Sequence, residues 1–121
     1  MKIQYFSGEA WEEQYVRAKL PNEDITFQEG SFASHADFTD SDATILCTFM
    51  ESRIGDAEMR RFPKLKLIAT RSTGFDHIDI AAAKARGIAV ANVPFYGENT
   101  VAEFAFALLL AVSRRIIDAD E

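Results

Sequence analysis

The segment Ser72-Thr73-Gly74 joins two hydroxyl side chains and a glycine, and Arg71 separates it from a largely apolar run at residues 65–70. A glycine lets the main chain turn sharply, so successive N–H groups can converge and bind an anion without a cationic side chain. The Thr73 hydroxyl can donate or accept a further hydrogen bond. One glycine after a strand is also common in an ordinary turn, so the residues alone leave an anion site and a plain turn both open.

Other potentially reactive side chains give weaker indications of chemistry. His77 stands between Asp76 and Asp79, a setting more typical of a solvated or capping residue than of an acid–base group. His35 has no partner at metal-ligand spacing, and Cys47 lies in a short apolar run where a small buried hydrophobic residue is expected. We therefore predict no metal site, and a single cysteine excludes an internal disulfide.

Short apolar segments and helical patterns alternate along the chain. Strands are predicted at residues 1–6, 24–28, 43–47, 65–70 and 88–91, and helices after residue 8 and at residues 56–62, 80–86 and 100–117. Residues 29–42 are polar and aperiodic, as in a long loop. Asp79 is expected to cap the third helix and Gly87 to end it, while Thr100 and Glu103 have the spacing of a capping box.

This alternation predicts an α/β fold, a flavodoxin-like or Rossmann-like parallel five-stranded sheet with helices on both faces. Open sheets of this kind bind ligands at the carboxyl ends of their strands. The last helix is unusual because residues 104–112 are apolar on every side, whereas a surface helix has a polar face. We expect a second domain, or a partner subunit in a homodimer, to cover it.

Composition limits the classes of function. Hydrophobic residues make up 48% and charged residues 26% of 121, as in an ordinary single folded domain. The formal net charge of -6, without a dense Lys/Arg cluster, argues against a nucleic-acid partner. The longest apolar run is too short to cross a bilayer, and no secretion signal is evident, so a cytoplasmic location is expected.

Three segments together resemble the D-isomer-specific 2-hydroxyacid dehydrogenase family. They are LKLIATRSTGFDHID at residues 65–79, GIAVANVP at residues 87–94 and YGENTVAEF at residues 96–104. The resemblance covers about residues 43–117 with order and spacing intact, and the wording of residues 71–79 is most similar to the D-lactate dehydrogenase branch. It implies a substrate-binding domain at residues 1–97 and, at residues 98–121, a crossover helix leading to a nucleotide-binding domain.

The resemblance also implies roles for individual residues. The loop Ser72-Thr73-Gly74 would present N–H groups to the carboxylate of a small 2-oxo or 2-hydroxy acid. Phe49 and Tyr96 would line the substrate pocket, although both could equally be core or interface aromatics. Thr73 and Thr100 would lie near the cofactor NAD, although Thr100 could be only a helix cap.

No Gly-x-Gly-x-x-Gly occurs, because the six glycines lie at positions 8, 30, 55, 74, 87 and 97. The resemblance places that fingerprint, and the family's catalytic Arg, Glu and His, beyond Glu121. No catalytic residue is therefore assigned, and this chain alone is expected to be inactive.

Two further hypotheses belong to other functional classes. One is a stand-alone carboxylate-binding or dimerisation module without catalysis. The other, a phosphoacceptor receiver domain, fails because Ser7-Gly8 and Thr48-Phe49 stand where acidic residues would be needed.

Overall fold

The computed structural model of the chain describes residues 1–7 and 9–116. Its elements follow the order β1 (Lys2–Ser7), α1 (Ala10–Lys19), β2 (Asp24–Glu29), η1 (a 3-10 turn, Phe32–Ser34), β3 (Ile45–Thr48), α2 (Asp56–Met59), β4 (Leu67–Thr70), α3 (Ile80–Ala85), β5 (Ala89–Ala91) and α4 (Glu98–Ser113). Each predicted helix and strand is therefore present, with shifted ends.

The five strands form one sheet in the order β2-β1-β3-β4-β5. All four pairs of neighbours are parallel, with Ile3 opposite Ile45 and Cys47 opposite Ala69. The predicted α/β fold with a five-stranded parallel sheet is confirmed. Because all strands run the same way, the loops that leave β1, β3, β4 and β5 meet at one edge of the sheet.

Apolar side chains alternate between the two faces of the sheet and form two clusters. Phe6, Leu46 and Ile68 belong to the larger cluster, which also includes Met59 of α2 and Ala83 of α3. On the opposite face, Ile3, Tyr5, Ile25 and Cys47 form the smaller cluster, against which Val16 of α1 packs. Helices thus cover both faces, as the strand pattern predicts.

Local sequence signals position α3 as expected. The Asp79 carboxylate accepts a hydrogen bond from the Ala82 amide at 2.9 Å and caps the helix. At the other end, Gly87 has a φ of 67° in the left-handed region. The Ile88 amide donates to the Ala83 carbonyl at 2.9 Å and the Gly87 amide to the Lys84 carbonyl at 3.1 Å, a Schellman arrangement.

Several predicted boundaries and one predicted loop differ from the structure. The third and fourth strands begin at Ile45 and Leu67 rather than at residues 43 and 65, and α2 ends at Met59, three residues before the predicted end. Within the predicted loop at residues 29–42, the turn η1 places Phe32 in the larger cluster with 1% of its surface exposed. No helical or strand-like spacing of apolar residues around Phe32 indicates in the sequence that it is buried.

The capping-box prediction for the last helix is wrong. The helix α4 begins at Glu98 with Gly97 as its N-cap, and the Val101 amide donates to the Gly97 carbonyl at 2.9 Å, so Thr100 lies inside the first turn. Glu98 in that turn interacts favourably with the positive end of the helix dipole. The described helix ends at Ser113, and Ile117, the predicted end, lies outside the described residues.

The helix α4 has no buried residue. Its large apolar side chains, among them Phe104, Phe106 and Leu109, are more than half exposed, and none joins either core cluster. The expectation that α4 needs a cover is consistent with this exposure. Among the described helices, none has both the length and the apolar character required to span a membrane.

Candidate functional site

The loops that leave β4 and β5 are joined at the carboxyl edge of the sheet. The Val93 amide donates to the Ser72 carbonyl at 3.1 Å, and the Asn92 side-chain amide donates to the Thr73 carbonyl at 2.8 Å. Within the first loop, the Ser72 hydroxyl donates to the Gly74 carbonyl at 2.7 Å. Three consecutive carbonyl groups are therefore held by donors from the protein itself.

Because peptides are planar, the direction of each of these carbonyls also fixes the direction of the amide N–H that follows it. In a trans peptide the carbonyl and the following N–H point in opposite directions, and the described chain contains no cis peptide. Since the carbonyls of Ser72, Thr73 and Gly74 face their donors, the amides of Thr73, Gly74 and Phe75 face away from them. Successive N–H groups that face away from internal donors can present themselves to an anion.

These amides have no acceptor in the part of the chain that the structure describes. Across residues 1–7 and 9–116, no backbone or side-chain oxygen accepts a hydrogen bond from the amides of residues 72–75. Thr73, Gly74 and Phe75 are exposed, so their N–H groups are not lost in an apolar interior. We name the amides of Thr73, Gly74 and Phe75 the amide cradle.

Ser72 shapes the loop from the inside. Its residue is 0% exposed, and its hydroxyl lies 2.7 Å from the Thr70 hydroxyl as well as from the Gly74 carbonyl. The side chain of Ser72 is thus fully engaged within the protein. The exposed Thr73, in contrast, leaves its hydroxyl accessible at the same edge.

Gly74 does not occupy the left-handed region, where only Gly30 and Gly87 are found among the described glycines. A β-carbon added at Gly74 would meet only the Asp76 carboxylate, at an ordinary contact distance of 3.7 Å. The backbone of this turn therefore does not require a glycine at position 74. Open space beside the amide cradle is what the absent side chain provides.

His77 contacts the loop through Thr70, its Nε2 lying 3.1 Å from the Thr70 hydroxyl. Burial lowers the pKa of His77 below its usual value, against an opposing effect of the Asp76 carboxylate, and so favours the neutral ring. His77 caps no helix of the described chain, and its ring is only partly solvated because one side bonds to the buried Thr70 hydroxyl.

Arg71 is a residue at this edge whose role the sequence did not indicate. Its guanidinium forms an ion pair with Glu12 of α1 and donates to the Phe6 carbonyl at 2.7 Å. It also lies over the Tyr5 and Phe49 rings, 4.9 and 5.6 Å from their centroids. Burial has the largest single effect and lowers the pKa of Arg71, but the Glu12 hydrogen bond together with the charges of Tyr5, Glu12 and Cys47 outweighs it, so the net direction is upward. Arg71 thus ties β4 to β1 and α1.

Phe49 and Arg71 line a cavity of about 360 Å³ at the same edge. Three carboxylate side chains also border it, those of Glu9, Glu12 and Glu51. Phe49 is half-buried there, as expected for a pocket residue, and its assignment to the substrate pocket stays a prediction.

The two other predicted site residues lie apart from this cavity. Tyr96 is 65% exposed in the loop before α4, and Thr100 is exposed in the first turn of α4. Neither lines the cavity beside Phe49. Their contacts with substrate and NAD stay predictions, because the surface that faces them carries no further element of the described chain.

The remaining sequence predictions concern Cys47 and His35. Cys47 is buried in the smaller cluster, so the predicted role of a small buried hydrophobic residue is confirmed, and burial raises the pKa of its thiol to about 11. The Nδ1 atom of His35 lies 2.9 Å from the Ser31 carbonyl. No group of three potential metal ligands occurs among the described residues.

Comparison with known proteins gives a family match over most of the chain. A model of the catalytic domain of the D-isomer specific 2-hydroxyacid dehydrogenases matches residues 8–119. The chain belongs to this family. The glyoxylate reductase of Thermofilum pendens is 48% identical over 82 residues, which are 68% of this chain and 24% of that protein. The glyoxylate reductase of Pyrococcus furiosus is 32% identical over 116 residues, 96% of this chain and 30% of that protein.

Solved structures of other proteins share the fold of this chain. The D-lactate dehydrogenase of Aquifex aeolicus, in complex with NAD and lactic acid, superimposes with a TM-score of 0.81 at 27% identity, over 97% of this chain and 36% of that one. An acyclic imino acid reductase in complex with NADPH and D-Arg gives a TM-score of 0.79 at 29% identity, over 100% of this chain and 40% of that one. The 121-residue chain therefore spans well under half the length of these relatives.

Proposed function

We propose that this chain is the substrate-binding portion of an NAD-dependent oxidoreductase that interconverts a small 2-oxo acid, such as pyruvate, and its D-2-hydroxy acid. The observation that carries the proposal is the amide cradle, three successive N–H groups at the carboxyl edge of a parallel sheet that have no acceptor among the described residues. Membership of the dehydrogenase family supports the reaction class.

In this proposal, the amides of Thr73, Gly74 and Phe75 hold the substrate carboxylate. Charge-assisted hydrogen bonds of this kind contribute about 1.5–3 kcal/mol each. Binding fixes one end of the substrate, so the 2-oxo carbon is held at a defined position outside the sheet edge. Phe49 and Tyr96 would contact the side chain of the acid, and their aromatic rings suit an apolar group such as a methyl.

The cofactor would approach from the exposed side of the same edge. When NADH is bound, it would supply the hydride that reduces the 2-oxo group of the substrate. The exposed Thr73 and Thr100 hydroxyls are suited to hydrogen-bond its nicotinamide end, and the N-terminus of α4 favours nearby negative charge. The chain contains no pyrophosphate-binding glycine fingerprint, so these two residues would be secondary contacts.

Carboxylate binding can be measured on the chain as it stands. We expect titration of the 15N-labelled protein with pyruvate to shift the amide resonances of Thr73, Gly74 and Phe75 before all others. Pyruvamide, which has the same shape without the negative charge, is the matched control and should shift them little. Equal responses to both compounds, or pyruvate shifts centred elsewhere, would reject the cradle.

The reaction class is tested on a longer chain that also carries a nucleotide-binding domain. Such a protein should oxidise NADH in the presence of pyruvate, glyoxylate or a related 2-oxo acid. Absence of turnover across a panel of 2-oxo acids, in a protein shown to bind NADH, would remove the proposed activity.

The exposed apolar surface of α4 favours a second function, that of a stand-alone module that binds a carboxylate and dimerises through α4. Size-exclusion chromatography with light scattering distinguishes the two. A stable dimer that binds pyruvate without nucleotide would favour the module, whereas a monomer would favour the oxidoreductase portion.

A further inference from the structure

A chain of hydrogen bonds runs from His77 to the amide cradle through two buried hydroxyls. The His77 Nε2 atom lies 3.1 Å from the Thr70 hydroxyl, which lies 2.7 Å from the Ser72 hydroxyl. The Ser72 hydroxyl lies 2.7 Å from the Gly74 carbonyl. Thr70 is 3% exposed and Ser72 is 0% exposed, so water does not replace these partners.

The Gly74 carbonyl, at the end of this series of hydrogen bonds, fixes which group donates in each bond. A carbonyl oxygen only accepts, so the single Ser72 hydroxyl proton is donated to the Gly74 carbonyl. Ser72 must then accept from Thr70, which has one proton to give. With that proton used, Thr70 can only accept from His77, so Nε2 of His77 must carry a proton.

We propose that His77, with its proton on Nε2, is a positioning residue for the amide cradle. Its donated proton commits the Thr70 hydroxyl to Ser72 and the Ser72 hydroxyl to the Gly74 carbonyl. Because the peptide that follows Gly74 is trans and planar, holding that carbonyl inward aims the Phe75 amide outward. The inference rests on the proposed carboxylate-binding function of the cradle.

Removal of the donor at position 77 has a defined consequence. Thr70 is then free to donate in another direction, and the Ser72 proton is shared between the Thr70 oxygen and the Gly74 carbonyl. The restraint on the Gly74 carbonyl weakens, while the donors to the Ser72 and Thr73 carbonyls, Val93 and Asn92, are unchanged. The effect should therefore be largest at the Phe75 amide.

The protonation state is tested first, without any ligand. Long-range 1H–15N spectra of the 15N-labelled chain at pH 8 should show His77 as the neutral tautomer with its proton on Nε2. A neutral ring with its proton on Nδ1 would overturn the proposal outright.

Two variants then test the positioning role. His77→Asn keeps a side-chain N–H donor and should retain pyruvate affinity within about twofold, whereas His77→Leu has no donor and should bind pyruvate at least about fivefold more weakly. The amide shift of Phe75 should move in His77→Leu and return in His77→Asn. His35→Asn, which removes a ring whose hydrogen-bond partners Ser31 and Ser34 lie outside this series of bonds, is the control and should change neither quantity.

The possible outcomes separate the two proposals. Equal pyruvate affinity in His77→Leu and the unmodified chain would overturn the positioning role while the cradle stands. If pyruvate fails to shift the cradle amides even in the unmodified chain, the carboxylate function falls, and with it the role of His77 in binding. A thermal unfolding curve for each variant shows whether an affinity loss reflects unfolding instead of altered amide orientation.

Discussion

Substitution of Gly74 by alanine separates ligand binding from folding. A methyl group at this position would meet only the Asp76 carboxylate, 3.7 Å away, and the backbone of Gly74 lies outside the left-handed region. An alanine here needs no rearrangement of the protein. It also reduces the conformational freedom of the unfolded chain, which stabilises compatible sites by about 0.4–1 kcal/mol.

Gly74→Ala should change two measurable quantities, the Tm and the affinity for pyruvate. Taking about 2.1 cal/mol/K per residue as the unfolding entropy, 0.5 kcal/mol corresponds to a rise in Tm of roughly 2 °C. The methyl group would occupy space beside the cradle, so one charge-assisted hydrogen bond to the carboxylate should be lost. Its loss of about 1.5 kcal/mol weakens pyruvate binding about tenfold.

Gly87 offers the matched control. It has a φ of 67°, where an alanine is strained, and a β-carbon there would contact nothing within 4 Å. Gly87→Ala should therefore destabilise the fold by about 1 kcal/mol and lower Tm by roughly 4 °C, with pyruvate affinity unchanged.

Calorimetry measures the Tm of both variants, and NMR titration measures their affinity for pyruvate. We expect opposite patterns, with Gly74→Ala stable but poor in binding and Gly87→Ala less stable but able to bind. The reasoning is refuted if Gly74→Ala unfolds as readily as Gly87→Ala while its pyruvate affinity is unchanged, because Gly74 would then be a structural glycine.

Three further predictions concern other parts of the molecule. A chain ending at residue 97 should keep its free energy of unfolding within about 0.5 kcal/mol, measured by urea denaturation, because α4 contributes nothing to either core cluster. Arg71→Met should destabilise the fold by about 1–2 kcal/mol through loss of the hydrogen bonds to Glu12 and Phe6, with Arg71→Lys intermediate, as chemical denaturation will show. The pKa of His77 is lowered in the folded protein, so below about pH 6.5 the unfolded chain binds more protons than the folded one. The free energy of unfolding therefore decreases as the pH falls from that value. In His77→Asn, thermal denaturation should show a smaller decrease in stability between about pH 7 and pH 5.

Features with a local cause were predictable from the sequence. The Asp79 cap and the Gly87 terminus of α3 depend on residues within one or two turns, and both are confirmed. The parallel sheet followed from short apolar runs that alternate with helical segments. The burial of Phe32 depends on packing against distant Phe6 and Phe62, so no local pattern indicated it.

The candidate site was predictable as a location but not as a mechanism. The resemblance identified the loop after β4, yet the orientation of its amides depends on Asn92, 19 residues away from Thr73. The ion pair of Arg71 with Glu12 spans 59 residues. Such contacts arise only once the strands are in register, so the residue types alone could not distinguish an anion site from an ordinary turn.

A crystal structure of the chain soaked with pyruvate tests the central claim most directly. We predict that the carboxylate oxygens lie about 2.7–3.1 Å from the amide nitrogens of Thr73, Gly74 and Phe75. A carboxylate held instead by the Arg71 guanidinium, or cradle amides that donate to carbonyl groups of the protein itself, would contradict the account.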